Sequence, residues 1–501
     1  MAYEVIVVGA GFGGLTAAAL LAARGVSVCL FERESRAGGC AATFEKFGYT
    51  FESTSSLYAG WGAGEIHERV FSELPVAPPE VRRLSPAYVV RLPDGAEVAL
   101  AKSVEEFEES LRAAFPECAD AAVNFYRELV PVGDALLRAS LRRPDLHTAS
   151  KLQRLGLLAT EPRVAARVLS VMNDTAARHL SAASLRFRRF VDAQLQIFAQ
   201  RDADACAYLY AAVALNLPRR GMYAIRGGAS ALADVLVEAI KKSGGTVRLN
   251  SPVLRLSYDS GGRARGVDLL SGETVEATRA VVSNLTVWDT YGKLVGLNRT
   301  PAEVRARLKA LRGWGAYLLF LSLDEEGARR LPAEHVLAVT DWQEGEAYNP
   351  ETAQLMFSAS PGWDGARAPA GKRAVTVATF TEASQWFSFH EDEAEHEEQD
   401  QSFLESIWGR LHAALPELGD SVEVIETATP RTFYESTRRK LGMVGGVGQS
   451  LDVFGANALT HRTHIPNLFM VGDSVFPGNG VAAVTHSALI AADEIAPKGR
   501  R

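Results

Sequence analysis

Cysteine is scarce: the 501 residues hold four, Cys29, Cys40, Cys118 and Cys206, with no CxxC pair among them. That excludes a disulfide framework, a zinc ribbon and a thioredoxin-type dithiol. No apolar run approaches the roughly 18 residues of a membrane-spanning helix. The opening residues, Met1 to Val8, lack the basic start and cleavage site of a signal peptide. Excess positive charge is missing as well, with 53 Lys+Arg against 60 Asp+Glu and a net charge of −7. This argues against a dedicated nucleic-acid binder. These absences predict a cytoplasmic enzyme without a membrane span and without nucleic acid as a partner. The bulk composition, 47% hydrophobic and 23% charged, is that of an ordinary globular protein and excludes a disordered, collagenous or coiled-coil chain. At roughly 150 residues per domain the length allows two or three domains.

The N-terminus is the most informative stretch. Val5 to Val8 is a short apolar run, as expected of a buried parallel strand. It leads into Gly9-Ala10-Gly11-Phe12-Gly13-Gly14, then a helical stretch from Leu15 to Arg24 closed by Gly25, then a second strand, Val26 to Phe31, ending on Glu32. Strand, Gly-x-Gly-x-x-Gly, helix, strand and acid form the complete dinucleotide-binding context. Gly9 permits the tight turn, Gly11 lets the backbone approach a pyrophosphate, and Gly14 lets the helix pack on the strand. The helix N-terminus offers N–H groups to phosphates. Glu32, with Arg33 beside it, is placed to meet a ribose. Gly38-Gly39-Cys40-Ala41-Ala42-Thr43 forms a second small-residue loop suited to close contact with a ligand.

Near the C-terminus, Asn467 to Asp473 reads as a strand ending in an acid. Pro477-Gly478-Asn479-Gly480 and a helix from Val481 to about Ile495 follow it. A cofactor touching both residues 9 and 480 must be long, and its sheet must be discontinuous in sequence. A helix from Ser230 to Lys242 and short strands at Thr246–Leu249, Val253–Tyr258, Gly266–Leu270 and Ala280–Val282 are expected between these ends.

Together the glycine set, Glu32 with Gly38-Gly39, and Gly472-Asp473 resemble the FAD-binding, amine-oxidase-like flavoproteins. Within them, Gly221-Met222-Tyr223-Ala224-Ile225-Arg226-Gly227-Gly228, Thr429-Pro430-Arg431-Thr432-Phe433, Gly445-Gly446-Val447-Gly448-Gln449 and Gly472 to Gly480 are similar to the bacterial carotenoid desaturases. The nearest branch is that of the 3,4-desaturases and carotene cis–trans isomerases. The resemblance implies an α/β fold: a Rossmann-like FAD domain with a parallel sheet, from residues 1–75, 220–290 and 455–501. An inserted α+β substrate domain, 76–219 and 291–454, completes it. It also implies that Asp473 bonds the ribityl or pyrophosphate portion and that Val253 meets the adenine end. The amides of Gly480 and Val481 would lie beside the flavin pyrimidine ring. Two positions depart from the pattern. Cys40 stands where many relatives carry a phosphate-pairing arginine, although cysteine also occurs in the narrower branch. Phe51-Glu52-Ser53-Thr54 stands where the family reads Phe-Asp-x-Gly.

The chemistry so implied is desaturation of a carotenoid or related polyprenoid, with hydride passing to flavin N5. Carotene isomerisation, a retinol-type saturation and amine oxidation are the alternatives. Glu52 is the candidate base, because the resemblance sets its segment near the flavin. No second nucleotide fingerprint is present, so NAD(P)H is not expected as a bound co-substrate, and a quinone or oxygen becomes the electron acceptor. No cysteine follows Cys206, which excludes a cysteinyl-flavin link in the C-terminal segment. Arg226 and Arg431 read either as acid- or phosphate-pairing residues or as loop anchors. Residues 131–200 carry 11 Lys+Arg against 5 Asp+Glu, with aromatics interleaved in Leu185-Arg186-Phe187-Arg188-Arg189-Phe190. That stretch reads either as a solvated helical face or as a membrane-docking surface for a lipid-soluble polyene. The acidic run Glu391 to Asp400, with His390 and His396, reads as a hydrophilic surface helix and not as a metal site.

Overall fold

The computed structural model describes residues 2–100, 103–142, 162–342, 345–387 and 393–498. Two seven-stranded sheets organise them. In the first, the parallel strands run in the order Leu468–Met470, Thr274–Ser283, Ala2–Val8, Val28–Phe31 and Thr246–Arg248. The early half of Thr274–Ser283 also carries the antiparallel strands Ala264–Leu269 and Val253–Tyr258 on its edge. Alternation explains why Ala2–Val8 is central: Val5 and Val7 pack on one face, Ile6 and Val8 on the other, all buried. The Val5/Val7 face is covered by the helices Phe12–Ala23, Ala229–Lys242 and Val481–Ile495.

The second sheet, mostly antiparallel, runs Val422–Ala428, Gly315–Asp324, Lys372–Thr381, Gln354–Ala359, His335–Val339, Val89–Arg91 and Glu97–Ala99. Alternation again sorts its faces. Tyr317, Leu319, Leu321 and Leu323 pack under helix Glu393–Ala414, whereas Ala316, Leu318 and Phe320 turn toward Phe51 and Phe433. Helices Val104–Ala114, Ala119–Arg142, Leu185–Ala199 and Tyr208–Ala214 share a third core with Leu337 and Met356.

Several expectations change in detail. The first helix begins at Phe12 and not at Leu15, because Gly13 and Gly14 form its first turn. The C-terminal strand is only Leu468–Met470. Val81–Arg83 pairs with Tyr223–Ile225 in a two-stranded sheet of its own. Within the basic stretch, Phe187 and Phe190 are fully buried against Phe115. Arg186, Arg188 and Arg189 pair with Asp94, Asp204 and Asp192. These three arginines are therefore neutralised by carboxylates and form no free basic face. Residues 143–161 of that stretch, and 388–392 with His390 and Glu391, lie outside the described residues. Among the described residues no helix is long and apolar enough to cross a membrane.

Candidate active site

Strand register builds the site. Val8 lies opposite Phe31 and Ser283, and Ser283 opposite Met470, so the carboxyl ends of four strands finish level. The residues that follow them meet at one crest, as ligand sites of parallel sheets do. Gly9 N–H donates to Phe31 O (2.8 Å), Asn284 N–H to Val8 O (2.9 Å) and Val471 N–H to Ser283 O (2.9 Å).

Above the crest opens a cavity of about 1080 Å³, at the upper limit of the ~300–1,000 Å³ common for ligand pockets. Of the sequence-predicted cofactor residues, Gly9, Gly11, Phe12, Gly13, Glu32, Arg33, Gly38, Gly39, Cys40, Ala41, Val253, Gly472, Asp473, Gly480 and Val481 line it. Gly14 and Thr43 do not. Gly14 works underneath: a Cβ there would lie 2.1 Å from the Gly9 carbonyl oxygen. Thr43 instead bonds Ser230 through its hydroxyl (2.7 Å).

The fit to a dinucleotide is visible in bare backbone. A Cβ at Gly13 would come within 3.0 Å of the Gly472 backbone, and one at Gly39 within 3.2 Å of Gly11 Cα. Only glycine lets these loops touch and still leave room for a ligand. Glu32 is fixed by two backbone donors, Ala10 N–H to Oε2 (2.7 Å) and Glu34 N–H to Oε1 (2.9 Å). Its remaining lone pairs are available to hydroxyl groups. At the far end of the crest Gly480, with φ +89°, opens helix Val481–Ile495, whose first N–H groups favour negative charge. Tyr210 Oη donates to Asn479 Oδ1 (3.1 Å) and steadies that turn.

Sequence reasoning missed Asn284 and Arg439. The Asn284 side chain sits beneath both glycine loops, within 2.6–2.9 Å of where Cβ atoms at Gly11, Gly13 and Gly472 would be. Arg439 Nη2 donates to Asp473 Oδ2 (2.7 Å), and its Nε donates to Met443 O (2.7 Å). Burial opposes the Arg439 charge, but the Asp473 carboxylate holds it firmly protonated. Burial likewise raises the Cys40 thiol pKa, against the nearby Arg439 charge. No local pattern marks either residue, since each is recognised only through partners distant in sequence.

The opposite end of the cavity is apolar, formed by Leu57, Ile197, Ala316, Leu318, Met356, Ala378 and Phe380. Thr54 lines it, as does the glycine loop through Val444 and Gly445. Among the described lining residues this arm carries no carboxylate and no imidazole. Glu52, the expected base, is corrected: its carboxylate is not on the cavity wall. It lies 2% exposed behind the wall, 3.6 Å from Arg367 Nη1, and accepts the Ala229 N–H at 3.3 Å. Tyr317 points away from the cavity and donates to Asp400 Oδ1 (2.6 Å), and Trp314 does not line it. Arg226 pairs with Glu80, and Arg431 with Glu393, so both anchor segments outside the cavity.

Residues 12–496 match the family model of flavin containing amine oxidoreductases. The chain is 25% identical over 507 residues to the chloroplastic prolycopene isomerase of Daucus carota, covering 99% of this chain and 80% of that one. It is 25% identical over 526 residues to the all-trans-retinol 13,14-reductase of Homo sapiens, covering 97% and 84%. The structure of a putrescine oxidase bound to putrescine superposes with a TM-score of 0.66 at 16% identity, covering 99% and 100% of the two chains, a likeness of fold. The chain belongs to the flavin containing amine oxidoreductase family and is an FAD-dependent oxidoreductase.

Proposed function

We propose that the enzyme acts on a carotenoid or related polyprenoid, removing two hydrogens to extend its conjugation. The observation that carries this reading is the continuity of the cavity, from a glycine-lined crest into an arm walled by Ala316, Leu318, Met356, Ala378 and Phe380. Such an arm suits an uncharged chain and excludes water from it. The relatives whose names specify prolycopene or all-trans-retinol support the same substrate class.

In this reading residues 1–75, 220–290 and 455–501 hold FAD, and 76–219 and 291–454 hold substrate. Gly11, Gly13 and the first turn of helix Phe12–Ala23 receive the pyrophosphate. Glu32 receives the ribose, and Val253 meets the adenine. Gly38 to Ala41, Gly480 and Val481 flank the flavin ring. When bound, FAD would supply the hydride acceptor, and the proton lost from the neighbouring carbon would pass to a base or to water. The protein presents the substrate, keeps water out, and places the positive end of helix Val481–Ile495 where charge accumulates. The substrate comes from a bilayer, whose contact surface includes the half-exposed Leu169 and Met172, and a quinone or oxygen reoxidises the enzyme.

Cis–trans isomerisation is the second reading. It is favoured by the apolar arm's lack of a carboxylate or imidazole among the described residues, since isomerisation removes no proton overall. The deciding experiment is anaerobic. FAD-loaded protein is mixed with acyclic carotenes in liposomes, and flavin absorbance and products are followed together. Flavin bleaching matched by a product two hydrogens lighter establishes desaturation. A product of unchanged mass and altered geometry, formed only by pre-reduced enzyme, establishes isomerisation. No change in either state refutes both for the carotenes tested.

A further inference from the structure

A dinucleotide brings two negative charges to a crest that already carries the carboxylates of Glu32, Glu34, Asp289 and Asp473 on its wall. Partial charge from one helix end, about half an elementary charge, does not balance them. Five cations line the cavity among the described residues: Arg33, Arg36, Lys293, Arg438 and Arg439. Arg33 pairs with its neighbour Glu34, and Arg36 is exposed. Lys293 is tied to Asp289 and to the Arg438 carbonyl, while Arg438 lies over the Tyr434 ring.

Arg439 differs from all of these. Its side chain is mostly buried, at 15% exposure, and two of its three nitrogens are fixed by Asp473 and by Met443 O. Nη1, the third, has no hydrogen-bond partner among the described residues. Asp473 follows Gly472, whose backbone touches the Gly13 turn, so the guanidinium is anchored one residue from the contact between the two glycine loops. Cys40, on the facing loop, is close enough to feel the Arg439 charge and brings none of its own.

We propose that Arg439, oriented by Asp473, is the cation that meets the pyrophosphate of bound FAD, supplied from the wall opposite the uncharged Cys40. This rests on the placement of FAD given above. A planar guanidinium with two nitrogens already held presents its third in one direction, which suits a phosphate oxygen. Asp473 is then a positioning residue for the cofactor through Arg439.

The test compares FAD with riboflavin, which has the same ring and no phosphate, in titrations of the flavin-free full-length chain followed by flavin fluorescence. Arg439→Gln is expected to weaken FAD at least about tenfold, the range for one charged hydrogen bond, and to leave riboflavin within about twofold. Arg439→Lys, which keeps the charge but cannot hold both Asp473 and Met443 O, should recover only part of the FAD affinity. For the wild type, added salt should weaken FAD and leave riboflavin unchanged. The proposal is overturned if the Gln variant binds FAD as the wild type does, or loses both ligands equally. Salt-independent FAD binding by the wild type overturns it too, even if the variant fails to accumulate. A wild type that binds neither flavin would overturn the FAD placement itself, a different failure.

Discussion

Exchanging Glu52 for glutamine separates a structural carboxylate from a catalytic one. The Glu52 carboxylate and the Arg367 guanidinium are both buried, 3.6 Å apart. Arg367 also donates twice to Thr50 O, at 3.1 and 3.0 Å. Glu52→Gln keeps the volume but leaves a buried cation with one carbonyl oxygen for company. Breaking such a pair costs about 3–5 kcal/mol, and the loose geometry puts the expectation at about 3 kcal/mol. Replacing both residues, as in Glu52→Gln with Arg367→Met, removes the stranded charge and should recover much of that loss. The assay is urea unfolding of the single and double variants, followed by far-UV circular dichroism, beside turnover per bound flavin. The single variant should unfold earlier and turn over normally for each flavin it retains. A Glu52→Gln protein within about 0.5 kcal/mol of wild type, fully flavinylated yet slowed by the 10²–10⁴-fold expected of a lost base, would refute this reasoning.

Acid should destabilise the fold through His67 and His335, both buried and both held neutral with pKa values lowered by burial to about 3. Because the unfolded chain binds these protons first, their contribution is complete above about pH 6.5 and is lost as pH falls toward 3. The slope is about 1.4 kcal/mol per pH unit for each ring, and it should flatten in a His67→Gln/His335→Gln variant followed by urea unfolding. Gly14→Ala forces a Cβ to 2.1 Å from the Gly9 carbonyl oxygen. It should cost at least about 2 kcal/mol and abolish flavin retention, read as the ratio of bound flavin to protein. Ala378→Trp fills the apolar arm, so polyene turnover should vanish while flavin content stays at the wild-type level; a variant that still turns over long polyenes would show that the arm does not hold substrate.

The local parts of the site were legible in the sequence. Gly9 to Gly14, Glu32 and Gly480 announce themselves because a tight turn, a pinned acid and a helix start each depend on neighbours a few residues away. Helix Val481–Ile495 even has the boundaries its pattern predicts. What failed depends on direction and distance. Glu52 follows strand Tyr49–Phe51, and nothing local tells whether its carboxylate turns toward the cavity or toward Arg367, some three hundred residues later. The arginines of 185–190 look free until Asp94 and Asp204 fold against them. Asn284 and Arg439 belong to no recognisable spacing, yet they brace the two loops that do.

The level crest has a consequence for how the protein is made. Strand Thr274–Ser283 gains its neighbour Leu468–Met470 only after the intervening chain has left the ribosome. At ~5–20 residues per second that wait is roughly 10–40 s. Meanwhile the half of the strand that ends at Ser283 presents an unpaired parallel edge, a surface on which nascent chains associate. Flavin cannot shield it, because the crest lacks Gly472, Asp473 and the helix from Val481. Cofactor capture therefore waits until Leu468–Met470 and the residues that follow it have been made and have folded onto the crest.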